Sequence, residues 1–123
     1  MRLKFPMDLL QNAQELAKNN HPHEIILLLR GEKTDKDIAI NDFLVPPMGV
    51  GGDGFASFPA SLLPIDFSIV GTLHSHPSGR LHPSMRDLHN MYGRIMVIIG
   101  PPYSHSSVSA FRKSGEPVEV EIV

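Results

Sequence analysis

The sequence predicts a single α/β domain, residues 1–123, in which helices pack on a mixed β-sheet. Three observations predict it. A helical apolar pattern occupies residues 6–20, short strand-like apolar runs follow at intervals, and no repeat or linker divides the chain. A chain of 123 residues can bury a real core without covalent staples.

Residues 6–20 place Leu9, Leu10, Ala13, Leu16 and Ala17 at helical spacing, with Asn19-Asn20 as a stop. Residues 25–29 form a continuous apolar run, the pattern of a strand covered on both faces. Residues 37–45 form a looser strand ended by Pro46-Pro47. A third strand, residues 67–72, leads into the pair His74 and His76. Residues 84–92 read as a second helix stopped by Gly93, and residues 95–99, 107–112 and 118–123 complete the sheet. Residues 46–64 combine Gly49, Gly51, Gly52 and Gly54 with Phe55, Phe58, Leu62 and Leu63. A loop of that length in a compact domain is usually functional or disordered.

The chemistry concentrates in His74-Ser75-His76 and Ser84-Met85-Arg86-Asp87. Imidazoles two apart on a strand project from one face. Ser84 and Asp87, three apart on a helix, share a face. A strand ending near Pro77, a short loop and a helix from Ser84 bring the pairs together. Two neutral histidines and one aspartate leave the fourth tetrahedral position of a zinc ion open, the pattern of catalytic sites. Each half also has a plainer reading: two polar residues on a solvated strand face, and a capping box at a helix start. The capping and ligand readings of Ser84 and Asp87 are compatible. The conjunction of the two pairs favours a metal site.

The pattern resembles the JAMM, or MPN-plus, metalloproteases: a distant Glu, then His-x-His, seven residues, Ser, two residues, Asp. Here seven residues separate His76 from Ser84 and two separate Ser84 from Asp87. Glu24, heading the apolar run that ends before Gly31, stands where the family has its distant acid. The resemblance covers nearly the whole chain, particularly to compact single-domain archaeal and bacterial members. His74-Ser75-His76-Pro77-Ser78-Gly79 also resembles the RadC-type relatives of the same fold. It implies a cytidine-deaminase-like α/β core and a Zn2+ ion on His74, His76 and Asp87. Glu24 is then the general base and acid, and Ser84 an oxyanion donor. The implied substrates are ubiquitin-like modifiers and their lysine conjugates, cut after a C-terminal Gly-Gly that lies extended against a sheet edge. In the family the insertion matching the glycine-rich loop helps clamp the modifier. Processing of a sulphur-carrier-type protein and a non-catalytic MPN scaffold are the alternatives. Scaffolds of that kind typically lose ligands.

Other His-x-His architectures fit less well. An amidohydrolase barrel needs roughly 200 residues or more, and a His-Glu-x-x-His helix is absent. A two-His, one-carboxylate ferrous site remains open on ligand count alone. Zero cysteines exclude disulfides and thiolate ligands. A net charge of −2 gives no footprint for nucleic acid. The longest apolar run is too short to span a membrane. With no signal-peptide core after Met1, the expected location is the cytoplasm. His21, His23, His82, His89 and His105 match no motif position, and Met85, Met91 and Met96 are expected in the core.

Overall fold

The structure, a computed structural model, describes residues 1–46 and 68–123; the glycine-rich stretch with Phe55, Phe58, Leu62 and Leu63 lies outside the described residues. The elements in chain order are β1 (Arg2–Phe5), α1 (Met7–Asn20), β2 (Ile26–Lys33), β3 (Asp37–Leu44) and β4 (Ile69–Ser75). They continue with α2 (Met85–His89), β5 (Ile95–Ile99), β6 (Val108–Arg112) and β7 (Pro117–Ile122). The mixed sheet is as expected, and it closes on itself in the order β1-β3-β2-β4-β5-β6-β7. Every described strand therefore has two neighbours, but β1 pairs only with the first three residues of β3, so residues 40–44 pair with β2 alone.

Closure depends on β1, which the hydrophobic pattern of the chain does not announce. Leu3 and Phe5 are fully buried while Arg2 is exposed, the two-residue alternation of a strand. This short strand lies parallel to both β3 and β7. Fully burying one side chain of the size of Leu3 stabilises by roughly 1.5–3 kcal/mol, so four residues suffice when both neighbours are ready.

α1 begins after Pro6, whose fixed φ of −59° suits a helix start. It buries Leu10, Ala13 and Ala17 against Ile25, Leu27 and Leu29 and the strands beside them. β5 is apolar throughout because both its faces are covered. Ile95, Val97 and Ile99 join the α1 core, whereas Met96 and Ile98 join Met91 and Phe111 in a second cluster flanked by Leu81. Met85 departs from the expected core role: it is 69% exposed, because the first turn of α2 points it at solvent.

β4 runs three residues further than the sequence suggests, through His74 and Ser75. Its pairing with β5 is close: a Cβ on Gly71 would sit 2.1 Å from the Ile95 carbonyl oxygen. His74 lies in register with Ile26 on one side and Ile98 on the other. Cross-strand partners share a face, so His74 stands on the face of the second cluster. α2 is shorter than expected. Asn90 caps it, Met91 and Tyr92 leave the helix, and Gly93 turns at φ +85° directly against the Val70 carbonyl. No described helix is long and apolar enough to cross a membrane.

Candidate metal centre

His74 is buried in the sheet, and its neighbours on both flanking strands are isoleucines. Burial lowers its pKa to about 4, with Asp87 opposing the shift and His76 adding to it. At neutral pH it is therefore an uncharged imidazole, the form that ligates metals.

His76 follows β4 directly. Its backbone N–H still donates to the Ile99 carbonyl at 2.8 Å, so the strand register carries one residue past the end of β4. Its Nδ1 lies 2.8 Å from the Arg80 carbonyl oxygen. A carbonyl can only accept, so Nδ1 carries the proton and Nε2 of the neutral ring bears the lone pair. That lone pair faces Asp87 Oδ2 at 3.3 Å. Two acceptors at this distance call for a cation between them, whether a proton or a metal ion. Burial works against charging His76, but Asp87, the Arg80 carbonyl and the negative charge of Glu24 together raise its pKa.

Asp87 occupies the third position of α2 in a complete capping box. Ser84 N–H donates to Asp87 Oδ2 at 2.9 Å, and Asp87 N–H donates to Ser84 Oγ at 3.0 Å. Burial opposes ionisation here. The contacts with His76 and Ser84 N–H and the nearby histidine charges outweigh it, so the carboxyl stays well below the usual carboxylate range. Asp87 Oδ1 lies 3.9 Å from His74 Nδ1. Capping thus aims the carboxylate at both imidazoles. Ser84 itself is exposed, with its oxygen receiving Asp87 N–H and its own O–H left to donate outward.

Glu24 is half-buried two residues before the start of β2, and its charge acts on His76. Its position is held through its neighbour: Ile25 N–H donates to Ser75 Oγ at 2.8 Å, and Ser75 N–H donates to the Ile25 carbonyl at 3.1 Å. Neither Ser75 nor the Arg80 carbonyl belongs to the sequence motif. The alternation that puts both imidazoles on one face puts Ser75 on the other, which was the available signal. Three of the five remaining histidines are engaged elsewhere: His21 with Tyr103, His105 with Gln11, and His82 in a tilted contact with the ring of Phe111.

The donor set suits a zinc ion. Ligands at about 2.0–2.1 Å in a tetrahedron lie roughly 3.3–3.4 Å from one another, which matches the His76–Asp87 separation of 3.3 Å. The His74–Asp87 separation of 3.9 Å has to shorten, and among the described residues no three donors already form a finished shell.

The family profile described as prokaryotic homologs of the JAB domain matches residues 6–113. The chain belongs to this JAB family, also called JAMM or MPN. A probable metalloprotease from Haloferax volcanii is 38% identical to this JAMM chain over 123 aligned positions, covering 94% of the chain and 76% of the relative. Two solved structures align over the whole chain and 99% of their own length. One is described as JAMM, a metalloprotease-like zinc site in the proteasome and signalosome (31% identity, TM-score 0.72). The other is a JAB1/MPN domain protein from Archaeoglobus fulgidus (32% identity, TM-score 0.71). A solution structure from Desulfitobacterium hafniense at 16% identity shares the JAMM fold, with a TM-score of 0.66.

Proposed function

We propose that this JAMM protein is a zinc-dependent metallo-isopeptidase. Its reaction is hydrolysis of the amide bond after the C-terminal Gly-Gly of a ubiquitin-like modifier, releasing the modifier from lysines of target proteins. The observation that carries the reading is the convergence of His74 and His76 on Asp87, with Glu24 acting on the same imidazole and the Ser84 hydroxyl exposed beside them. The Haloferax relative named a probable metalloprotease supports the hydrolytic class, and the neighbour described as a metalloprotease-like zinc site supports the metal.

His74, His76 and Asp87 would hold the ion. When bound there, zinc supplies Lewis acidity and a water acidified to about pKa 7. Glu24 takes the proton of the attacking water and delivers it to the departing amine nitrogen, acting first as base and then as acid. Ser84 Oγ–H donates to the carbonyl oxygen as negative charge develops on it, a contribution of order 3 kcal/mol for one such donor. Glycine residues suit the substrate tail because a chain without side chains can pass close to a metal set against a strand end.

The test is cleavage of a panel of Gly-Gly-ended modifiers, as lysine conjugates and as linear precursors, with and without o-phenanthroline. Faster cleavage of the conjugates, abolished by the chelator and restored by zinc, is the expected result. Faster cleavage of linear precursors would replace the isopeptidase reading with sulphur-carrier processing. No cleavage by zinc-loaded protein would leave a scaffold.

A further inference from the structure

The barrel end remote from the histidines carries a cavity of about 760 Å³ whose lining includes Arg2, Lys33, Lys36, Arg94, Arg112 and Lys113, with Asp35 and Asp37 as its carboxylates. The topology brings these residues together. Lys33 ends β2, Asp37 begins β3, Arg94 precedes β5 and Arg112 ends β6 opposite Ile95. Arg94 N–H donates to the Val70 carbonyl near the start of β4. Six residues of extended chain from Val70 to His76 span roughly 20 Å, so the cavity is separate from the metal centre.

Its electrostatics are unlike those of the whole molecule. Among the described residues, six cationic against two carboxylate side chains leave a surplus of four positive charges, on a chain whose net charge is −2. Asp37 is already engaged by Arg2 at 3.8 Å and Lys4 at 3.5 Å. Arg112 Nε is buried and, among the described residues, has no hydrogen-bond partner. A buried donor without an acceptor is costly, and an anion in the cavity is the kind of group that supplies one. Among the described residues no aromatic side chain lines the space, so none of them stacks on a base there. Guanidinium groups present forks of donors that match phosphate oxygens two at a time.

We propose that this basic cavity binds a compact polyphosphate group, either as inorganic polyphosphate or as the phosphate chain of a nucleotide. Calorimetric titration of the full chain with inorganic tripolyphosphate and with ATP, zinc-free and zinc-loaded, tests it. One saturable site per chain is expected in both metal states. The affinity should fall at least tenfold in Arg94→Ser/Lys113→Ser and in Lys33→Ser/Lys36→Ser, since each pair removes half of the surplus charge. Thermal melts of these variants should stay near the parent, and Lys18→Ser on α1 should bind like the parent. Equal binding of the two ligands identifies the phosphate chain alone as the ligand, and tighter ATP binding through the same residues identifies a nucleotide. Absence of saturable binding, unchanged affinity in both folded double variants, or binding that needs zinc would overturn the assignment. So would an oligonucleotide that outcompetes tripolyphosphate through these residues, which would make the cavity part of a nucleic-acid surface.

Discussion

The hydroxyl of Ser75, which stands between His74 and His76 in the chain but on the opposite face of β4, accepts the backbone N–H of Ile25 at 2.8 Å. The residue between the two histidines of the proposed metal site thus holds the peptide that follows Glu24. Glu24, the proposed base, and the imidazoles are thereby positioned by one pair of strands rather than by separate loops. Ser75→Ala should leave Ile25 N–H buried without its partner, a cost of about 1–3 kcal/mol. Zinc occupancy should persist while kcat falls and KM stays near its parent value. Elemental analysis beside steady-state kinetics checks this, and an unchanged kcat would remove Ser75 from the positioning of Glu24.

His74→Ala and Asp87→Ala should each lose zinc, because either change leaves two of the three proposed donors. Elemental analysis after dialysis is the measurement. Full occupancy in both variants would mean that the ion sits elsewhere.

Zinc uptake should release protons in a pH-dependent way. His74, with its pKa lowered to about 4, is already neutral above about pH 5 and contributes no proton there. The pKa of His76 is raised above that of an ordinary imidazole in the metal-free protein, so below its folded pKa it holds a proton that zinc must displace. Below the His76 pKa zinc uptake should release the proton of that ring, and the release should decline as pH rises through that pKa. Zinc affinity should strengthen over the same interval. Calorimetry in buffers of different ionisation enthalpy counts the protons, and a pH-independent count near zero would contradict the tautomer and charge assigned to His76.

The legible parts of this molecule are the local ones. Ser84 and Asp87 are three residues apart, and the capping box they form needs no information from elsewhere in the chain. His74 and His76 share a face because a strand repeats every two residues. The buried runs of β2 and β5 follow from apolar continuity alone. What pattern reading missed is non-local. β1 has only two apolar residues, and its strand character comes from β3 and β7 on either side. Barrel closure follows from that insertion. The end of β4 was placed too early because His74 and Ser75 are polar, yet isoleucines of β2 and β5 bury them. The short α2 reflects Gly93, which must approach Val70 closely and draws residues 90–93 out of the helix.

Glu24→Gln keeps the size and hydrogen-bonding reach of the side chain but cannot take up a proton at neutral pH. It should keep zinc and lose about 100-fold or more in kcat, the scale of a missing general base. The variant also removes a negative charge that helps raise the pKa of His76, so its zinc-linked proton release should shift to lower pH. Near-normal turnover in the zinc-loaded variant would assign the base role to another group.

Ser84 has two separable tasks, and two substitutions separate them. Its oxygen caps α2 by accepting Asp87 N–H at 3.0 Å, while its exposed O–H is free to donate to a developing oxyanion. Ser84→Ala removes both, costing about 1 kcal/mol of stability through the lost cap. Ser84→Gly also removes the hydroxyl, but glycine at an N-cap costs only a few tenths of a kcal/mol. If the hydroxyl acts in catalysis, both variants should lose kcat by about 100-fold, although only the alanine form melts measurably earlier. If the serine serves only as a cap, activity should follow stability, with the glycine variant near the parent and the alanine variant impaired only close to its melting range. Both variants leave the Ser84 N–H that fixes Asp87 Oδ2 in place, so zinc content should match the parent and the comparison isolates the hydroxyl proton.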